Sequence, residues 1–112
     1  MAFLPEIASF EESLITAYDL STGTSSFVSS DISGYLQFSL QFTGSSVAGS
    51  NSFVLEQSNN GSNWSELADS FELPIGNSTF VIDKQFFSGK QLRINFLTAG
   101  SGTLDCVLIA KR

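Results

Sequence analysis

The sequence predicts an all-β fold, a single-domain antiparallel β-sandwich, jelly-roll-like, of about eight strands. Three observations carry that reading. Apolar residues recur at every second position through most of the chain, the spacing of strands with one dry face. Clusters of small polar residues punctuate these runs at short, regular intervals: STGTSS, SSDISG, TGSSVAGS, SNNGSN, PIGNS, FSGK and TAGSG. No stretch shows helical periodicity with caps, apart from a short turn expected around PEIASFEES. The length, 112 residues, suits one domain with one core. A hydrophobic content of 42%, including eleven Phe, is enough to fill that core.

Taken in order, residues 1–11 read as an N-terminal arm and residues 12–112 as the sandwich domain. The arm carries Ala2, Phe3, Leu4 and Ile7 around Pro5. It could dock on a neighbouring subunit or cover the end of its own sandwich. SLITAYDL is the first strand and SFVSS a short second one. In YLQFSLQF, Leu36, Phe38, Leu40 and Phe42 share one face, with Gln37, Ser39 and Gln41 on the other. FVLEQ continues the pattern, with Phe53 and Leu55 pointing inward. Asn59-Asn60-Gly61 then reverses the chain, since Asn and Gly accept left-handed backbone angles. Trp64 returns in the next strand. Leu67 stands at odd separation from it, which implies a bulge or bend between them. Phe80 and Ile82 alternate in TFVID. Leu92, Ile94 and Phe96 do so in QLRINF, with Arg93 and Asn95 outward. TLDCVLIAK is apolar at both parities after Asp105, so cover on both faces is expected there.

Composition excludes several function classes. Net charge is −6 and the isoelectric point near 4.2, so the positive footprint that nucleic-acid binding needs is missing. The charges are segregated: residues 1–83 hold ten acids and no base, whereas residues 84–112 hold five bases and one acid. If that split survives folding, it favours head-to-tail contact between copies. Charged residues are only 14%, and the polar remainder is mostly hydroxyls and amides, which cost less to desolvate than charges. Such a skin suits close packing against neighbours. The N-terminus has no signal-peptide pattern, and no segment is long enough to span a membrane. Synthesis in the cytoplasm is therefore expected, with no membrane insertion.

No set of residues for chemistry emerges. There is no His, which removes Ser–His and Cys–His pairs and most zinc sites. Cys106 stands alone in an apolar run and reads as a small buried hydrophobe. Glu11 and Glu12 face opposite sides of a strand. Glu66, Asp69 and Glu72 lie near one another in sequence but lack the alternation of a calcium loop, so they read as solvated acids. Asn60, Asn63 and Asn77 each open an N-x-S/T triplet, which a Ser- and Asn-rich chain yields by chance. Trp64 has two readings, core anchor or sugar-stacking platform, and the core is favoured. Phe86 and Phe87 are adjacent, so in a strand one must face outward beside Lys84 and Lys90. No enzyme activity, metal or cofactor is expected.

Two resemblances follow. The SNNGSNW run, with Asn60 in place of Asp, resembles the S-x-D-G-x-x-W hairpin of discoidin-type (F5/8 C) jelly rolls, and QLRINF is similar to their Y-V-R-I strand. That likeness implies a carbohydrate- or headgroup-binding module. A broader likeness joins the Phe/Leu/Gln-rich strand, SNNGSNW, KQFFSGKQLRI and TAGSGTLD. It resembles small all-β bacteriophage virion proteins that decorate capsids or form head fibres and spikes. It implies that Arg93 to Leu104 form a hairpin closing the sandwich.

Taken together these features predict a non-enzymatic structural protein of the virion. It would act by homo-oligomerisation and by docking to other virion proteins. The alternative is a module that binds a host-surface glycan or receptor. The expected contact residues are Phe3, Leu4 and Ile7 on the arm, and Lys84, Phe86, Phe87 and Arg93 in a basic-aromatic patch.

Overall fold

The computed structural model describes residues 9–84 and 87–111. Among them are nine strands: β1 (Ser9–Asp19), β2 (Ser26–Val28), β3 (Gln37–Ala48), β4 (Ser52–Ser58), β5 (Ser65–Glu66), β6 (Phe71–Glu72), β7 (Gly76–Lys84), β8 (Gln91–Phe96) and β9 (Ser101–Lys111). A single 3-10 turn, Leu20–Thr22, follows β1, capped by the Asp19 carboxylate, which accepts from Ser21 N–H.

The strands form two antiparallel sheets, ordered β1-β9-β3-β7 and β2-β8-β4-β5, with β6 also paired to β4. The pairs β1–β9, β2–β8, β3–β7 and β4–β5/β6 show one long ribbon folded back on itself. That ribbon then rolls up, bringing β9 against β3 and β8 against β4. This is the jelly-roll arrangement of eight strands. The ninth segment arises because β5 and β6, two residues each, occupy one edge position in succession. Leu67 N–H donates to Leu55 O where β5 gives way to the break, and Leu73 N–H donates to Asn51 O beyond β6. The opening of the ribbon's fold-back point is the SNNGSN loop, so this hairpin turns the whole chain.

The dry faces meet as the alternation requires. Phe38, Leu40 and Phe42 of β3 and Leu104, Cys106, Leu108 and Ala110 of β9 oppose Phe53 and Leu55 of β4 and Leu92, Ile94 and Phe96 of β8. Phe42 lies between Phe53 and Phe80, with ring centroids 5.1 and 4.9 Å away. At the other end of the core, Phe27 meets Tyr18 edge-on at 5.0 Å.

The structure departs from the sequence reading at several places. β1 begins at Ser9, opposite Lys111, so residues 9–11 belong to the sandwich and no helical turn forms over SFEES. Residues 1–8 lie outside the described residues. TGSSVA is not a turn but the second half of β3, carried through a bulge at Ser45–Ala48. Ser46 there takes φ 53°, and its N–H donates to Asn77 Oδ1 at 2.8 Å. A bulge needs the same small, permissive residues as a turn, so composition does not separate the two. β9 is dry on one face only: Val107 and Ile109 remain half-buried on the other. There, with Glu11, Ser39 and Gln41, they line a shallow recess of about 310 Å³.

Candidate functional site

The SNNGSN loop is ordered by side chains. Ser58 Oγ accepts from the N–H groups of Asn60 and Gly61, at 3.2 and 2.8 Å. Asn60 Oδ1 accepts from those of Ser62 and Asn63, both at 2.9 Å. Only Gly61 in this loop takes a positive φ, 76°. Asn60 thus works through its amide oxygen, as in an Asx-turn, and not through a left-handed backbone. The loop leaves an open recess of about 220 Å³ lined by Gln57, Ser58, Asn59, Asn60, Asn63 and Ser65, all hydroxyls and amides.

Beside it, on the outer face of the five-stranded sheet, three side chains form a compact cluster. Arg93 and Glu56 are cross-strand partners on β8 and β4. Arg93 Nε donates to Glu56 Oε1 at 2.8 Å, with the side chains 23% and 12% exposed. The Arg93 guanidinium carbon stands 4.4 Å from the centre of the Trp64 ring. Trp64 is half-buried on this outer face and takes no part in the core cluster, so the core-anchor reading is corrected. Leu67 packs against the core instead. Glu66 lies across from Glu56 on β5, which gives the row Arg93–Glu56–Glu66 across three strands. Like charges opposite one another repel, and Arg93 offsets that here.

The expected basic-aromatic patch does not assemble. Phe87 is 1% exposed, its ring edge-on to Phe38 at 5.3 Å. Burial of the larger apolar surface wins over exposure at a loop where the chain can turn the ring inward. Arg93 is engaged on the five-stranded sheet, whereas Lys84 ends β7 on the other sheet. There Lys84 lines a second recess of about 220 Å³ with Gln37, Ser39, Asp83 and Lys111. Phe86, like Phe3, Leu4 and Ile7, lies outside the described residues.

Asn51 and Asp105 are tied into the backbone. Asn51 is fully buried: its amide donates to Ala48 O, and its Oδ1 accepts from Gly100 N–H at 2.7 Å, tying two loops together. Its single-letter context held no signal of this. Asp105 Oδ1 accepts from Ala17 N–H at 2.8 Å, where Ala17 takes φ 47°. Cys106 is buried among apolar side chains, and desolvation pushes its thiol up to about 12. Hydrogen bonds from Ser33 hold the Asp31 carboxyl below its ordinary value, as those from Ser21 do for Asp19. Among the described residues no three or more His, Cys, Asp or Glu gather as metal ligands, and no helix is long and apolar enough to cross a membrane.

No family model matches the sequence, and no curated protein does. Solved structures do. The SPBc2 prophage-derived protein YomS superposes with a TM-score of 0.73 at 10% identity, over 100% of both chains. Tailspike protein 4 of bacteriophage CBA120, in its enzymatically active domain, matches with a TM-score of 0.54 at 19% identity. That match covers 93% of this chain and 15% of the tailspike domain. The all-β sandwich expected from the likeness to phage proteins is the fold found, but the closing hairpin expected over Arg93 to Leu104 does not form: β8 and β9 lie in different sheets, so that stretch crosses from one to the other. At these identities the fold is what is shared.

Proposed function

We propose that this chain is a non-enzymatic structural protein of a bacteriophage particle, acting through its outer surface by self-association and docking to other virion proteins. The observation that carries this reading is the match over the full length of both chains to a prophage-derived protein, which supports a sandwich of this kind in a phage setting. The surface agrees with it. Polar groups over both sheets are mainly hydroxyls and amides, cheap to desolvate, and the exposed apolar residues Leu36, Ile75, Val81 and Leu97 give contacts something to bury. The virion is the corresponding location.

A second reading, glycan binding, is favoured by one observation: Trp64 lies beside an amide-lined recess at the SNNGSN loop. One face of the indole is taken by Arg93, so a sugar would have to stack on the other. Light scattering of the pure protein, paired with a glycan array, separates the readings. The structural reading expects an oligomer or concentration-dependent association, with no glycan retained. A strict monomer that binds glycans, and loses them in Trp64→Ala, would overturn it.

A further inference from the structure

We propose that the free edge of β7 pairs with β7 of a second copy, antiparallel, about a two-fold axis through Phe80. The inference rests on the self-association reading and names the surface that carries it.

Four strand positions bound the two sheets: β1, β7, β2 and the β5/β6 edge. An exposed edge invites pairing with another chain unless something blocks it. Three of these edges are blocked. β1 has two register shifts against β9 and a left-handed residue at Ala17. β2 is three residues long. β5 and β6 are two-residue pieces separated by a break. β7 differs: its one register shift against β3 lies at its start, beside Gly76 at φ 93°, and from Ser78 to Lys84 the register runs without interruption and without Pro. Every second residue of an edge strand turns its N–H and C=O outward. Among the described residues, no loop or side chain hydrogen-bonds to the backbone of Gly76–Lys84 outside the sheet. The side chains also look unfinished. Phe80 and Ile82 face the core side yet stay half-buried, and Val81 on the outer face is 50% exposed.

A second copy of the same strand fits this edge. A two-fold axis normal to the sheet keeps faces matched, so residues pair with partners of the same parity. Full overlap of Gly76–Lys84 centres the axis on Phe80. Phe80 then meets Phe80, Val81 meets Thr79, Ile82 meets Ser78, Asp83 meets Asn77 and Lys84 meets Gly76. No like charges oppose one another, whereas centring on Asp83 would set two carboxylates face to face. The product is one continuous eight-stranded sheet, with Phe80 of each copy covering the other's edge.

The test uses Thr79 and Val81, both exposed on the outer face, so that substitution leaves the core intact. In the proposed register T79K/V81K opposes Lys to Lys twice, while T79E/V81K opposes Glu to Lys twice. Light scattering over a concentration series should show the wild type associating, T79K/V81K associating roughly tenfold or more weakly, and T79E/V81K restored. Circular dichroism confirms that each variant keeps its β spectrum. Wild-type association that T79K/V81K leaves unchanged, or that T79E/V81K fails to recover, overturns the β7 assignment alone. If F3S/L4S abolishes it instead, the arm carries the contact. A wild type that stays monomeric at every concentration overturns the self-association reading itself.

Discussion

Arg93 shows how a single residue gives a surface its local character. It joins a carboxylate at 2.8 Å and an indole at 4.4 Å on a face that is only partly wet. Replacing it by Ala leaves Glu56 opposite Glu66 without a counter-charge and uncovers the Trp64 ring. Arg93→Ala should cost about 1–2 kcal/mol in denaturant unfolding and shift the fluorescence of Trp64, the sole Trp, to the red. Arg93→Lys keeps the charge but not the planar stacking, so the red shift should persist while part of the stability returns. Unchanged emission in both variants would contradict the stacking. Cys106 gives a pH test. Its thiol is raised by burial from its ordinary 9.0 to about 12. The neutral thiol's contribution is therefore whole below pH 9 and is lost as pH rises from there to about 12. The stability difference between wild type and Cys106→Ala should be flat up to pH 9 and shrink above it. A difference that stays constant to pH 11 would contradict this burial. At this scale the sequence was legible where alternation decides, as at Leu92, Ile94 and Phe96. Trp64 was misread although the signal was there: Leu67, three residues on, must take the opposite face, and only one of the two can be in the core. The Glu56–Arg93 pair was not legible, because it depends on the register of two strands far apart in sequence.

Strands set the next level. The four runs that alternate cleanly, YLQFSLQF, FVLEQ, TFVID and QLRINF, all lie on strands, because period two fixes which face is buried; only Leu36, expected on the dry face, falls before the start of β3 and is exposed. The bulge joining β3 to β9 was hidden, since its residues look like a turn. Its geometry shows why glycine is used on the β9 side. A Cβ on Gly102, at φ 116°, would sit 2.8 Å from Ser46 O and from Val47 Cα, and one on Gly100 would meet the Ala48 carbonyl oxygen. Both contacts are to backbone, which cannot step aside. Gly102→Ala should therefore destabilise by about 2 kcal/mol or more. Gly34→Ala, whose added Cβ meets nothing, should cost only the strain of its φ of 90° and serves as the control. Equal losses at both sites would contradict the close approach. β7 was legible as a strand but not as an edge, because which strand lies outermost is a property of the roll and not of any local pattern.

The whole molecule follows from one ribbon folded at SNNGSN and wound into two sheets. About eight strands were expected and eight positions are filled, one of them in two pieces. The charge segregation along the sequence does not become two faces. Lys84 and Lys111 share a recess with Asp83, while Arg93 is paired with Glu56 on the other sheet. Among the described residues, three edges are blunted, and β7 alone keeps an unbroken register from Ser78 to Lys84 with its outer side unpaired. Amide hydrogen exchange of the wild-type protein at low and high concentration tests that most directly. If β7 is the surface through which copies meet, exchange at Asn77–Asp83 slows as concentration rises, while exchange in β1 and at the β5/β6 edge does not change. Protection that appears elsewhere, or nowhere, as concentration rises would contradict it.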